Sequence, residues 1–578
     1  MQKKRGFSLL LMMVALLFAF SAVSAQDEAK FAGGWPYPVA PTGHYNQFAV
    51  NNLNLGIYWD VMQPPMAEYI WSADTYEGLL ADSFGFDEDN NYVVTLKSGL
   101  TWSDGSPVTS QDVVTTFNIL YLNKAQVWSS ISGVEAVDDL TAKFTVVTPS
   151  KEVERQILTE NIGATSVYGD IAARAGEFAA AKVTTGDAGF DALLSELTDF
   201  RPEGPVASGP YVIDPASITD ANLNLVKNEG GLNSDIVRFD VLQIWNGETE
   251  AVTPLVANGD LYYGTYGFPP ATEASFIDQG IDIIRGPSRN GPGIYVNHSV
   301  YPLDKVEVRQ AIAYVVNREQ NGFVALGESG IANDCMCGMS DLLAEVWLSE
   351  DTLDSLNHYD QDADAATALL EGIGFTKGND GKWLDDQGNP LAFELLFPSD
   401  FTDWSAAAEN ATQQLNDFGF TITARGAQSA QQQQDVYDGN FQMAIRNWGI
   451  GSPFPGRSYL EAYNRYNGQG ELAGEGVGGG MHFNLDMTYS GGEINGFDMA
   501  TQAGQGLDVD AQKEIVTALA LSYNELLPAI PLWERYGNNP LNREFLDAPA
   551  SDDPIYQNAG TDAFMPYLIL TGKIGPAA

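Results

Sequence analysis

The stretch Tyr92–Phe117, YVVTLKSGLTWSDGSPVTSQDVVTTF, sets a strand, a tight turn and a capped helix in direct succession. Tyr92, Val93, Val94 and Leu96 are strand formers that stop at Gly99. Ser103-Asp104-Gly105-Ser106-Pro107 carries the residues a chain reversal needs. Thr109 followed three positions later by Asp112 is the pattern of a capping box, so a helix is predicted through Val113, Val114 and Phe117.

Outward from this stretch the same mixture continues. Val308, Ala311, Ile312, Val315 and Val316 follow helical spacing, as do Ile515, Leu519, Tyr523 and Leu526. Phe375–Leu396 reads as a hairpin with turns at Asn379-Asp380-Gly381 and Asp386-Gln387-Gly388, and a helix is predicted from Trp404 to Phe418. Gln431–Gln434 reads as a solvated helix edge or loop, and the chain up to about Pro41 as a loose leader. No internal repeat is present, and the class is mixed α/β.

Lys3, Lys4 and Arg5 precede an apolar run from Phe7 to Phe20, and Val23-Ser24-Ala25 supplies small residues before Gln26. This is the pattern of a secretory signal peptide over residues 1–25, with no cysteine at the cleavage site for lipid attachment, so a periplasmic or secreted protein is expected. Without that segment 26 Lys+Arg face 76 Asp+Glu, or −50, which excludes nucleic acid and anionic lipid as partners. The imbalance comes from scarce bases, since charged residues make up only 18% of the chain. The remaining 550 or so residues exceed one core and call for two or three domains.

Familiar catalytic and metal patterns fail on inspection. Gly474–Gly479 satisfies G-x-G-x-x-G without a strand before it or a helix after it, and reads as a loop. Asp87-Glu88-Asp89-Asn90-Asn91 begins like a calcium loop, but Tyr92 and Ser98 replace the required Gly and Glu, so a β-turn is expected. His44, His298, His358 and His482 lie far apart, and no G-x-S-x-G elbow occurs. Cys335 and Cys337, with Met336 and Met339, allow a local disulfide, free thiols, or a soft-metal site; the lack of a nearby His disfavours the metal. No cofactor is expected.

Tyr92–Phe117 resembles the family-five extracellular solute-binding proteins of ABC importers, whose pattern is close to LRxGxxWxDGxPxTAxDVxxTF; Ser110 stands where Ala is usual. Trp128–Phe144 is similar to the family's strand pair, and Gly209-Pro210-Tyr211-Val212 to the strand that returns to its first domain. Tyr295–Glu319 resembles a further segment, with Asn317 in place of Asp, and Leu527–Trp533 the closing strand. The resemblance implies a two-lobed periplasmic-binding-protein fold of type II, in its large three-domain variant with a hinge between lobes. Domain I would comprise 26–64, 206–290 and 531–578, domain II 65–205, and domain III 291–530. It also implies a monomer that closes on a small-molecule ligand about crossing strands near Ile283–Tyr295 and Pro531–Tyr536, and an ABC permease as partner.

Phe441–Tyr459 resembles the family's pocket-lining segment, and Trp448 is the counterpart of its Trp. In the oligopeptide branch the third residue after that Trp is an Asp that pairs with the peptide ammonium; here it is Gly451. A buried ammonium without a carboxylate is penalised, which argues against ordinary peptides unless another acid substitutes. Stacking on Trp448, Trp404, Trp71, Tyr45, Trp245 and Tyr266 then supplies affinity, with Asn46, Arg446 and Asn447 for hydroxyl groups. Core packing is the alternative for each aromatic. The expected ligand is a neutral oligosaccharide, with a peptide as the alternative. A secreted glycoside hydrolase is the alternative of another class, because 76 acids always offer carboxylate pairs.

Overall fold

The computed structural model describes residues 29–467, 480–560 and 562–578. The expected signal peptide and the Gly474–Gly479 loop lie outside them. Among the described residues no helix is long and apolar enough to cross a membrane.

The opening motif folds as its chemistry dictates. Tyr92–Leu96 is a strand and Ser110–Leu122 a helix capped by Thr109 and Asp112. The Asp112 carboxylate accepts from Trp102 Nε1 at 3.1 Å, from the Thr109 amide at 2.8 Å and from the Thr165 amide at 2.7 Å. One buried acid thus fixes the turn, the helix entry and the start of the next helix, Thr165–Ala181. Asp87 spends its carboxylate on the amides of Asp89 and Asn91, which makes its segment the expected turn.

Three sheets of four or five strands organise the described residues. The first has the spatial order Lys30–Gly34, Val241–Trp245, Asn222–Lys227, Tyr211–Ile213, parallel at its first pair and antiparallel beyond. The second is antiparallel: Ala81–Phe86, Tyr92–Leu96, Thr141–Val146, Ile131–Ala136. One core joins both, running from Phe31 through Phe144 and Leu242 to Ile574. The third sheet is mixed: Thr421–Ala427, Ala392–Pro398, Met443–Trp448, Gly291–Val296, Ala529–Pro531.

Alternation along the third sheet sorts its residues onto two separate cores. Ile294, Leu395, Met443, Ile445 and Ile530 face one, against Val308, Ile312 and Leu415; Tyr295, Leu396, Ala444, Trp448 and Ala529 face the other, against Leu519 and Tyr523. Two segments connect the third sheet with the first core. They run antiparallel, with Pro287 bridged to Tyr536 and Asp282–Ile284 paired with Asn539–Leu541.

Three local expectations need correction. Lys30–Gly34 is an inner-packed strand and no loose leader, because its partner is 211 residues away and because Gly33 lets Tyr58 approach; a Cβ there would lie 2.2 Å from Tyr58 Oη. Both turns of Phe375–Leu396 form, the first pairing Thr376–Lys377 with Trp383–Leu384 and the second bridging Leu384 to Pro390, but the segment is not one hairpin, since the Leu395-Leu396-Phe397 run needs burial on both faces and joins the third sheet. The glutamine run lies in the helix Ser429–Tyr437, yet Gln432 is fully buried, bonded to the Ile445 carbonyl and to Arg446. Cys335 and Cys337 are free, buried thiols.

Candidate ligand cleft

Among the described residues, three cavities are lined by Ala559, Gly560, Asp562, Ala563 and Phe564 together with parts of the helix Lys151–Leu158 and the turn Gly56–Trp59. The first encloses about 410 Å³. Its walls are Glu152, Arg155 and Gln156 with Thr159 and Glu160 on one side, and Ile450-Gly451-Ser452 and Arg457 on the other, with Asp562 between. Val153 and Ile157 of that helix belong to the first core, whereas Trp448, just before Ile450, belongs to the third sheet, so this cavity lies between two independently packed bodies.

The second cavity, about 400 Å³, is lined by the aromatic rings of Trp35 and Trp59, the amides of Gln47, Asn52, Asn54 and Asn161, and the carboxyl group of Asp60. The third, about 230 Å³, adds Thr265, Ser288, Asn290, Arg535 and Asn539. Trp35, Ile57, Gly560 and Ala563 line both. The first and second cavities share no lining residue but are adjacent along the chain, Glu160 and Asp562 lining the first and their neighbours Asn161 and Ala563 the second.

Charge in this cleft is unevenly shared. Arg155 Nη2 lies 2.9 and 2.8 Å from the two Asp562 oxygens and 3.5 Å from the Gly451 carbonyl. Burial opposes the guanidinium charge, but Asp562 more than restores it, so Arg155 holds its proton more tightly than an ordinary arginine. Burial lifts Asp60 to about 7 against a 2.9 Å hydrogen bond from Asn161, and burial lifts Glu160 to about 7. Glu68, behind them, is pushed well above the carboxylate range by burial and then by Asp562 and Asp60. Among the described residues no group of three His, Cys, Asp or Glu side chains is placed to hold a metal ion.

Of the residues expected at the site, Gly451 lines the first cavity. Its lack of a carboxylate does not leave the cleft without acids, since Glu152, Glu160 and Asp562 stand around it. Trp71 acts from behind: its Nε1 donates to Asp562 at 2.7 Å, and the Arg289 guanidinium sits 3.4 Å over its ring. Trp448 lines none of the three cavities. It is 1% exposed in the core, packed over Gly293, with Nε1 unpartnered, because alternation turns it to the same face as Ala444.

The remaining expected residues line none of these three cavities. Asn46 is fully buried and spends its amide on the Leu197 and Phe200 carbonyls and the Phe48 amide. Arg446 is buried against Gln432, Gln433 and Tyr466, and Asn447 turns back to the Gly449 carbonyl. Tyr266 is buried with an unpartnered hydroxyl. Tyr45 packs on the first core, Trp404 packs on the third sheet edge-on to Phe401, and Trp245 donates to the Asp260 carbonyl while its own carbonyl holds the Trp35 amide. Trp35, Trp59, Asp60, Arg155 and Asp562 escaped the sequence reading; the one signal was the amide-rich Asn51-Asn52-Leu53-Asn54 between two tryptophans.

The architecture has close counterparts among solved structures. A periplasmic oligopeptide-binding protein of an oligopeptide ABC transporter from Thermotoga maritima superposes with a TM-score of 0.76 at 21% identity, covering 95% of this chain and 100% of that one. The same protein with mannohexaose bound gives 0.74 at 21% identity, over 95% and 99%. The oligopeptide-binding protein AppA from Bacillus subtilis, in complex with a nonapeptide, gives 0.69 at 14% identity, over 95% and 99%. These likenesses establish the fold as the two-lobed type II solute-binding architecture.

Among curated sequences, the "Probable D,D-dipeptide-binding periplasmic protein DdpA" of Escherichia coli (strain K12) is 23% identical over 379 residues. The match spans 64% of this chain and 65% of the length of that relative. Residues 75–470 match the model of the family described as bacterial extracellular solute-binding proteins, family 5 Middle. The chain therefore belongs to the family-5 bacterial extracellular solute-binding proteins.

Proposed function

We propose that this protein is the solute receptor of an ABC importer, and that its solute is a neutral oligosaccharide captured by closure of the two lobes and handed to a membrane permease. The observation that carries the reading is the second cavity, where Trp35 and Trp59 stand among Gln47, Asn52, Asn54 and Asn161. Flat C–H faces of pyranose rings suit indoles, and amides both donate to and accept from hydroxyl groups. The mannohexaose held by a protein of the same fold supports it. Ligand that touches both lobes favours the closed form by its differential affinity. The protein acts as a monomeric binder; oligosaccharides incubated with it should be recovered uncut, and cleavage products would point instead to a secreted glycoside hydrolase.

A thermal-shift screen of residues 26–578 against manno- and gluco-oligosaccharides and short peptides tests the reading, since ligand at a hundred times its Kd adds about 2.7 kcal/mol of stability. Stabilisation by saccharides alone is expected. A peptide ligand is the second reading, favoured by the carboxylates of the first cavity and by the nonapeptide in AppA; stabilisation by peptides alone would establish it.

A further inference from the structure

The two lobes touch directly at the end of one short helix. Lys151–Leu158 belongs to the first lobe, since Val153, Ile157 and Leu158 are buried in the core that joins the first two sheets. Its cap and two residues of its first turns nonetheless reach the second lobe, which is built on the third sheet. Ser150, the cap, forms a parallel backbone bridge with Gly506. The Glu152 carboxylate faces the Ser452 hydroxyl and the Arg457 guanidinium, besides Arg155 and Gln156 of its own helix. Arg155 Nη2 lies 3.5 Å from the Gly451 carbonyl. Trp71, which donates to Asp562 of the first lobe, packs against the second lobe's core of Tyr459 and Ala503.

Both faces of this contact are ordered within their own lobes. Ser150 Oγ accepts from the Val153 amide at 3.1 Å and so holds the helix end. Opposite it, Gln512 Nε2 donates to the Gln505 and Gly506 carbonyls at 3.0 and 2.9 Å, and Gly506 keeps a φ of +84° that favours glycine. Trp347 Nε1 donates to the Pro453 carbonyl at 3.0 Å, and the Ser452 hydroxyl accepts from the Phe454 amide at 3.2 Å, which fixes the loop that presents Gly451 and Ser452. Joining parts that are already ordered loses little conformational entropy.

None of these residues belongs to the crossing strands around Pro287 and Tyr536. Rotation about those strands that parts the lobes has to break the bridge at Gly506 and strip Glu152 of its partners across the cleft. We infer that this helix end is a latch: Ser150, Glu152 and Arg155 hold the lobes together through Gly506, Ser452, Arg457 and Gly451, so that most molecules are closed with no solute present. Solute entry then waits on spontaneous opening. The latch rests on the two lobes and their hinge, and on no property of the solute.

The experiment is small-angle X-ray scattering of residues 26–578 with no solute added, on the parent and three variants, each checked by thermal melting. The parent should scatter as a compact body, with a radius of gyration near the roughly 24 Å expected of a folded chain of this length. Glu152→Ala removes the carboxylate, and Glu152→Lys sets a further cation before Arg457. Both should shift the closed-to-open ratio about tenfold or more towards open, read as a larger radius of gyration with the melting transition still cooperative. Lys151→Ala should scatter as the parent does, because the Lys151 amine pairs with Glu154 of its own lobe at 2.8 Å. An open parent, Glu152 variants as compact as the parent, or equal expansion of Lys151→Ala would each overturn the latch. The saccharide reading would stand in all three cases, since no solute enters the measurement.

Discussion

Arg155 and Asp562, 407 residues apart, form a buried ion pair, with Nη2 2.9 and 2.8 Å from the two carboxylate oxygens. Trp71 Nε1 donates to the same carboxylate at 2.7 Å. Removing one member strands the other in the interior, so Asp562→Ala should lower unfolding free energy by about 3–5 kcal/mol. The paired change Arg155→Met with Asp562→Leu should recover part of that loss. Urea unfolding of the three proteins measures both, and a single variant as stable as the parent would show that the pair contributes nothing.

The two kinds of tryptophan should separate experimentally. Trp35→Ala or Trp59→Ala should weaken ligand binding by about 1–3 kcal/mol at little cost in stability, because these indoles form cavity walls. Trp448→Ala should instead cost about 3–5 kcal/mol of stability, because that ring fills a core. Calorimetry and denaturant titration on the same preparations decide; a stable Trp448→Ala protein with weakened binding would return that residue to the site.

Asp60 supplies a pH dependence of definite sign. Its folded carboxyl is raised from 3.8 to about 7 by burial, so the unfolded chain ionises first as pH rises. Stability is lost as pH climbs from about 4 towards 7, and the penalty is complete above that. Asp60→Asn, which keeps an acceptor for Asn161, should raise ligand-free stability by about 1–3 kcal/mol near pH 8 and leave it unchanged near pH 4. Melting curves at the two pH values test this, and an equal gain at both would refute it.

Thiol chemistry offers a fourth check. Cys335 is 7% exposed and Cys337 fully buried, and the hydrogen bond between the two thiols, with burial, raises Cys335 far above the ordinary thiol range. Only the thiolate reacts. Both should resist an aromatic disulfide reagent in the native protein and react together in denaturant. Rapid native reaction would place them at an accessible surface, and a mass two hydrogens light would reveal a disulfide.

Local chemistry made much of the fold readable. The Trp102–Asp112 segment announces its own turn and cap because both are satisfied within a few residues. The helices of Val308 and Leu519 are equally legible, since periodicity records which face is buried. Lys30–Gly34 was hidden because KFAGG has no strong preference of its own and takes its conformation from Val241–Trp245. The cleft was hidden for the same reason on a larger scale: Trp35, Glu160 and Asp562 meet only after three distant segments have folded. The burial of Trp448 was not legible because a tryptophan at a strand end beside a glycine-rich loop looks the same whether it faces solvent or, as here, Gly293.

The first core draws on Phe31 near one end of the chain and on Leu541 through Ile574 near the other. A ribosome or an export channel delivers residues in order, so this body has to wait, incomplete, until its last contributors emerge. The third sheet, whose cores span Ile294 to Trp533, can pack earlier. Folding should accordingly run from the middle of the sequence outward, and the unfinished body is the form that proteases and chaperones would meet.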